Sequence, residues 1–509
     1  MKASPTAEKA APLSYSIARA ALASGTASTI TRVLTVVLSI ASARALEPRE
    51  VGVLGIAVIV VGIISMIGAY PEIAAVTARG DEDDNKYALA AVAIRGAAIT
   101  LLIASVLLCL PAAAGYLTEK EVGGGEMRAL LAVLLFVPVI ELIGSYPRVI
   151  LQRKLDLNYV SAANLLQPVL FVGLAVYLLW RGHGYTGVAW ANTIGTAAAA
   201  LFLWSRLWLS GWLKWRGWPA RAIWRETARG AARIFVGGFG GFLGERVDNL
   251  MVAGVVGATG MSFYSMAWNG ARTPANTFGG TIGFVLIPTL ARIQDEPSRV
   301  ERAIRESLRY SYLLLAPVCA LLFVSAPLIV SYVLGEKWLP LVPCLRVMCF
   351  TVITIPVLFV AGALLTGTGR AHLMGIAMLV HLLVLFATIP PLAGRWGIVG
   401  AAAGDLMAMV ASTAVLCVTA RKATGQTRWN LISNLCVPAA AAVAASALAL
   451  AVGAGLAPSP LRLICEVAMI AGGYTLFIIL LGGRTRLSDL FSLLRGVARR
   501  RVFPVESQT

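Results

Sequence analysis

Long apolar runs, each able to cross a hydrocarbon core about 30 Å thick as a helix of about 20 residues, recur along this entire chain. In lipid the backbone polar groups of a segment must be bonded internally, so runs of this kind span as helices. Fourteen are expected, at roughly 20–45, 51–70, 88–115, 129–147, 160–180, 185–209, 231–256, 261–290, 308–334, 340–366, 371–392, 397–420, 433–456 and 461–482. The expected fold class is all-α, a polytopic membrane protein. At 58% hydrophobic and 13% charged residues, the composition excludes a soluble domain of 509 residues. The opening MKASPTAEKAAPLSYS is polar, and the first apolar run is too long for a cleaved leader, so it reads as the first span.

The formal charge of +18 lies mainly in the loops. With the N-terminus in the cytoplasm, about 28 Lys and Arg fall on that side and about 7 on the other. That asymmetry places both termini in the cytoplasm and accounts for the charge without a nucleic-acid partner. The seven cysteines stand singly in apolar runs and the three histidines lie far apart, so neither a metal site nor a cofactor is expected. Three cytoplasmic segments are distinctive. Residues 210–230 interleave tryptophans with basic residues, as an interfacial elbow does; 293–309 reads as a solvated helical linker; and the tail at 483–509 is amphipathic and basic, suiting an anionic leaflet.

A weak internal repeat is visible. AIR at 93–95 recurs at 303–305, the junction Leu46–Ala57 aligns with Val256–Ala267, and GYTGVA at 184–189 is echoed by GIVGAA at 397–402. Six spans separate equivalent helices, so the halves enter the membrane in the same sense and their pseudo-axis runs along its normal. The expected layout is an N-lobe at 1–209, the elbow at 210–230, a C-lobe at 231–420, a helix pair at 421–482 and the tail. Each lobe holds six helices, with a cavity between them.

Charges within spans cost roughly 2.5–3.5 kcal/mol each on insertion scales and face a partner, a cavity or a ligand. The stretch Gly244–Arg292 carries Glu245, Arg246 and Asp248 and then a lone Arg272; Arg32 and Arg95 lie in the first half, Arg346 and Asp405 in the second. For Glu245, Arg246 and Asp248 two readings stand, internal pairing or a lumen-facing role. Arg32 and Arg272 have no acidic residue nearby in sequence, which points to the lumen, where a guanidinium fork suits phosphate. Prolines 138, 168, 274, 288, 317, 356 and 390 interrupt spans, and glycines crowd the start of the seventh.

Five segments then carry a resemblance: SARALEPREVGVLGIA (42–57), PRVILQRKLDLNYV (147–160), VDNLMVAGVVGATGMSFYSMAW (247–268), IPTLARIQDEPSRV (287–300) and GEKWLPLVPCLRVM (335–348). Over about residues 20–420 the chain resembles the bacterial polysaccharide transporter family of the multidrug/oligosaccharidyl-lipid/polysaccharide superfamily, the lipopolysaccharide and O-antigen flippases. The resemblance implies alternating-access movement of an undecaprenyl-diphosphate-linked oligosaccharide from the cytoplasmic to the periplasmic leaflet of a bacterial inner membrane. It implies a monomer among membrane lipids, working beside other polysaccharide assembly proteins. It also implies a cationic cavity lined by Arg32 and Arg272, with Arg95 and Arg246, while Glu245, Asp248 and Asp405 serve as coupling or structural charges. A flippase for lipid-linked peptidoglycan precursor is the alternative, as is a drug/cation antiporter, although the latter expects acidic residues in a first span that here holds Arg32 and no Asp or Glu before Glu47. No nucleophile–base constellation occupies an outer loop, so no enzyme is expected.

Overall fold

The computed structural model describes residues 30–78, 84–119, 123–213, 217–425, 431–453, 455, 457 and 459–482. These are helical, with no strand among them. A first helix, α1, occupies 30–45. It is followed by α2 (Pro48–Thr77), α3 (Asp84–Glu119), α4 (Gly124–Leu134), α5 (Phe136–Arg153), α6 (Leu157–Trp180), α7 (Gly184–Leu209) and α8 (Arg221–Val256). The second half holds α9 (Ala258–Ile293), α10 (Pro297–Val324), the short α11 (Ala326–Ile329), α12 (Val342–Thr351), α13 (Ile355–Gly367), α14 (Met374–Thr424), α15 (Leu431–Gly453) and α16 (Pro460–Gly482). Two compact units divide the chain, Met1–Phe239 and Gly240–Thr509, with the boundary inside α8.

Ten segments among the described residues are long and apolar enough to cross a membrane, against the fourteen expected. Two of the expected spans, 371–392 and 397–420, share the single segment Ala371–Thr424. Its helix α14 is broken at Trp396 and Gly397, where Gly397 takes φ 58°. The chain doubles back there, and a Cβ at Gly400 would collide with the Leu392 carbonyl. The expected spans at 231–256 and 261–290 fall in α8 and α9, which are helical but more polar: the first carries Glu245, Arg246 and Asp248, and the second is rich in Gly, Ser, Thr and Asn. The start of the first expected span, residues 214–216 of the elbow and the tail at 483–509 lie outside the described residues.

Apolar side chains cover both faces of these helices. Leu101, Leu108, Leu201 and Leu383 are exposed, as hydrocarbon-facing positions are, and Trp180, Trp208 and Trp396 are exposed at helix ends, the depth at which indole rings suit a membrane interface. The protein is a multi-pass membrane protein.

Proline leaves a carbonyl four residues upstream without its helical donor. Pro147 in α5 frees the Ile143 carbonyl, which accepts from Trp204 Nε1 of α7 at 3.0 Å. Pro317 in α10 frees the Leu313 carbonyl, which accepts from the Tyr474 hydroxyl of α16 at 2.9 Å. Both helix packings thus contain a donor matched to a proline. Interhelical hydrogen bonds in membrane proteins average about 0.6 kcal/mol, with a maximum near 1.7. Tyr474→Phe is expected to lower stability by about 1 kcal/mol, and by less in a Pro317→Ala background, where the ladder supplies the donor; thermal unfolding of the four purified variants checks this.

The resembling segments turn out to hold turns. Glu47 donates its backbone N–H to the Glu50 carboxylate at 2.9 Å, and Pro48 opens α2, a capping arrangement at the helix start. In QRKLD, Arg153 donates to Asp84 at 2.7 Å and to the Ala75 and Ala78 carbonyls at 2.8 and 3.1 Å, so one side chain covers the C-terminus of α2. Lys154 meets the same Asp84 at 2.7 Å, Leu155 takes φ 58°, and Asp156 accepts from Arg206 of α7 at 2.9 Å. In GEKW, Gly335 takes φ 110° and Trp338 is wholly buried, edge-on to Phe263 at 5.6 Å.

Candidate functional site

Among the described residues, two multi-helix clusters of charged side chains lie inside the apolar helices, one in each unit, besides a smaller set in which buried Glu466 of α16 accepts from Arg462 at 2.9 Å and from the Ser325 hydroxyl at 2.6 Å. In the N-terminal unit Arg95 of α3 is 4% exposed and donates to Glu72 of α2 at 2.6 Å and to Glu141 of α5 at 3.0 Å. Arg148, two turns beyond Glu141 on α5, approaches the other oxygen of Glu72 at 3.5 Å. Two guanidinium groups therefore face two carboxylates, and the set is neutral when all four are ionised. It borders a cavity of about 520 Å³ whose space comes from small residues, among them Gly62, Ala69, Ala163 and Ala199. The cavity is lined by the C-terminal halves of α2 and α5 and the N-terminal half of α6.

In the C-terminal unit Arg272 of α9 is 7% exposed and donates to Asp405 of α14 at 2.6 Å and to the Thr351 hydroxyl of α12 at 3.3 Å. Its guanidinium lies over the Trp268 ring, 5.0 Å from the centroid, one turn back on the same helix. Asp248 of α8 is buried beside this pair. Its carboxylate accepts from the Tyr264 hydroxyl at 3.0 Å and from both the backbone and side-chain amides of Asn249 at 2.7 and 2.9 Å. His381 of α14 is also buried. One guanidinium thus serves two buried carboxylates, and only Asp405 touches it.

The residues singled out from the sequence consequently separate. Arg95 and Arg272, expected to line an anion site, are buried and engaged by carboxylates. Arg272 does have an acidic partner, but it is Asp405, 133 positions away, rather than Asp248 on the preceding helix. Arg32 in α1 and Arg246 in α8 are exposed, and neither makes a hydrogen bond or ion pair among the described residues. The Glu245 side chain lies outside the described residues. Arg346 donates to the Phe323 carbonyl at 3.1 Å and lies over that residue's ring. Glu72, Glu141, Tyr264 and His381 were missed. Glu141 sits inside the expected span 129–147, where the rule that singled out Arg95 applies equally; Glu72 fell two residues beyond the expected end of its span, and nothing in sequence marks Tyr264 or His381.

Residues 41–343 match the family described as "Polysaccharide biosynthesis protein". The chain is 22% identical over 282 residues to the teichuronic acid biosynthesis protein TuaB of Bacillus subtilis (strain 168), covering 54% of this chain and 55% of that protein. It is 26% identical over 175 residues to the lipopolysaccharide biosynthesis protein WzxC of Escherichia coli (strain K12), covering 34% and 35%. A membrane protein of the cps region of Klebsiella pneumoniae is 29% identical over 167 residues, covering 33% and 34%. The chain thus spans between about a third and about half the length of the curated relatives it matches. Among solved structures, the lipid II flippase MurJ in an inward closed conformation superposes with a TM-score of 0.72 at 10% identity, over 90% of this chain and 98% of that one. An inward-facing multidrug transporter of the MATE family follows at 0.62 and 16%, over 78% and 94%. At these identities the likeness is one of fold.

Proposed function

This chain belongs to the polysaccharide biosynthesis protein family, and we propose that it is a flippase moving an undecaprenyl-diphosphate-linked oligosaccharide from the cytoplasmic to the periplasmic leaflet of a bacterial inner membrane. The observation that carries the reading is that family membership joined to a fold like that of a lipid-carrier flippase, with ionised side chains kept inside apolar helices. A passive anchor has no use for such charges, whose burial is costly.

Within this reading we narrow the phosphate ligands to the arginines without a carboxylate partner. A diphosphate approaching Arg95 or Arg272 would have to displace a carboxylate already bonded at 2.6 Å. Arg32 and Arg246 carry no such partner among the described residues, and in this proposal they grip the headgroup. The Arg272 guanidinium meets Asp405 alone, so the buried Asp248 carboxylate, held by Tyr264 and Asn249, is left for a coupling cation to offset. Export then proceeds by alternating access, with lipid-linked glycan as cargo.

Purified full-length protein in vesicles tests the proposal. Labelled undecaprenyl-diphosphate oligosaccharide loaded in one leaflet is expected to reach the other faster than in protein-free vesicles. Movement of cationic drugs but not of the glycolipid would place the chain with antiporters instead. Orientation follows from the basic-residue asymmetry: reporter fusions at Gly184, Gly335 and Pro458 are expected to be periplasmic, and those at Gly217, Ser298 and Ala423 cytoplasmic. The reverse pattern at most sites would reject the fourteen-span topology with both termini in the cytoplasm.

A further inference from the structure

With the diphosphate proposed at Arg32 and Arg246, the cavity of the N-terminal unit is left without an assigned occupant, yet it is the kind of space a ligand uses. At about 520 Å³ it lies within the roughly 300–1,000 Å³ range of small-molecule sites and far exceeds what one ion needs. Its charges cancel, because Arg95 and Arg148 are already met by Glu72 and Glu141. A net anion or cation therefore gains nothing there that it does not lose by breaking an ion pair.

What the walls offer beyond that neutral set is amide and hydroxyl chemistry. Gln152, Asn164, Gln167 and Thr196 line the same cavity. Gln167 reaches Thr196 only at 3.4 Å, and neither Gln152 nor Asn164 makes a side-chain hydrogen bond among the described residues. Asn164 is exposed although it stands seven residues into a helix long and apolar enough to span. Amides carry both donor and acceptor on one planar group, and a carboxylate held by an arginine, as Glu141 is, keeps lone pairs for further donors. Vicinal hydroxyls of a sugar ring need that combination. An apolar ligand would leave these groups unpaired at a cost.

We infer that this cavity is a saccharide subsite, taking a neutral hexose or N-acetylhexosamine unit of the carried glycan between the amides of Asn164 and Gln152 and the carboxylate of Glu141. The inference rests on the flippase reading, since the glycan enters as part of that cargo. It separates the two ends of the substrate: exposed arginines hold the diphosphate, and the neutral cavity reads the sugar.

The test titrates the purified full chain by saturation-transfer NMR with methyl glycosides of glucose and N-acetylglucosamine, with glucuronate, and separately with undecaprenyl diphosphate. Wild-type protein is expected to bind a neutral glycoside and undecaprenyl diphosphate. Asn164→Ala and the cavity-filling Ala199→Leu are expected to weaken the neutral glycoside about tenfold while leaving undecaprenyl diphosphate unchanged, which also reports that both variants are folded. Neutral glycosides bound equally by wild type and variants, or glucuronate bound in preference, would overturn the subsite. So would undecaprenyl diphosphate binding with no sugar bound at all, a result that leaves the flippase reading standing. If wild-type protein bound neither probe, both readings would fall.

Discussion

Arg272→Gln is expected to remove most of the folded protein from the membrane, and adding Asp405→Asn is expected to bring it back. Arg272 and Asp405 are 8% and 1% exposed at their side chains and 2.6 Å apart. Removing one member of a buried pair strands the other charge, at about 3–5 kcal/mol, whereas removing both is often nearly neutral. That loss is comparable with a large part of the stability of a typical domain, about 5–15 kcal/mol. Asp248→Asn in place of Asp405→Asn is expected to give no such rescue, because the Asp248 carboxylate is held by Tyr264 and Asn249 and does not touch the guanidinium. The measurement is folded protein in the membrane for both singles and both doubles, together with glycolipid movement per folded molecule. Full abundance of Arg272→Gln with movement abolished would return Arg272 to the substrate site.

That pairing shows where sequence reading stops. The cost of a charge in lipid marks Arg95, Arg272, Asp248 and Asp405 without any structure, because the cost depends only on depth in an apolar run. Which charges meet depends on how each helix is rotated and which helix lies beside it, and the partners stand 23, 46 and 133 positions apart. Proximity in sequence gave Arg272 no acidic partner and pointed it to the lumen, but in the helical packing Asp405 of α14 comes within reach. The same limit applies to the prolines. Pro317 is legible as an interruption, while the Tyr474 hydroxyl that satisfies its freed carbonyl arrives from a helix more than 150 positions later. Helical class and apolar length were legible throughout α2 to α7, although the single expected span at 129–147 is divided into α4 and α5 at Leu135. They were least so in α8 and α9, where polar residues dilute the signal, whereas the break at Gly397 falls between the two expected spans 371–392 and 397–420.

The motifs behave differently from the charges. QRKLD and GEKW are recognisable because turns demand them: a guanidinium covering the carbonyls at a helix end, a glycine at positive φ, a tryptophan that fills its pocket. Such residues are fixed by local geometry that any carrier of this fold must satisfy, whatever it carries.

Arg32→Gln and Arg246→Gln are expected to leave abundance unchanged and to cost most of the transport. Both side chains are exposed and unpaired among the described residues, so truncating either strands no buried carboxylate. A hydrogen bond to a charged group contributes about 1.5–3 kcal/mol, so losing a guanidinium that grips phosphate should weaken undecaprenyl diphosphate binding by roughly 10- to 100-fold at each position. Lysine keeps the charge but not the two parallel donors, so Arg32→Lys and Arg246→Lys should fall between wild type and the glutamine variants. An arginine that merely extends to the lipid headgroups predicts a different series, since lysine does that as well and glutamine costs little. Measured on purified protein of equal folded fraction, affinity for undecaprenyl diphosphate that is the same in wild type, lysine and glutamine forms at both sites would remove these arginines from the binding site. A graded loss at one site and none at the other would assign the headgroup to that single arginine.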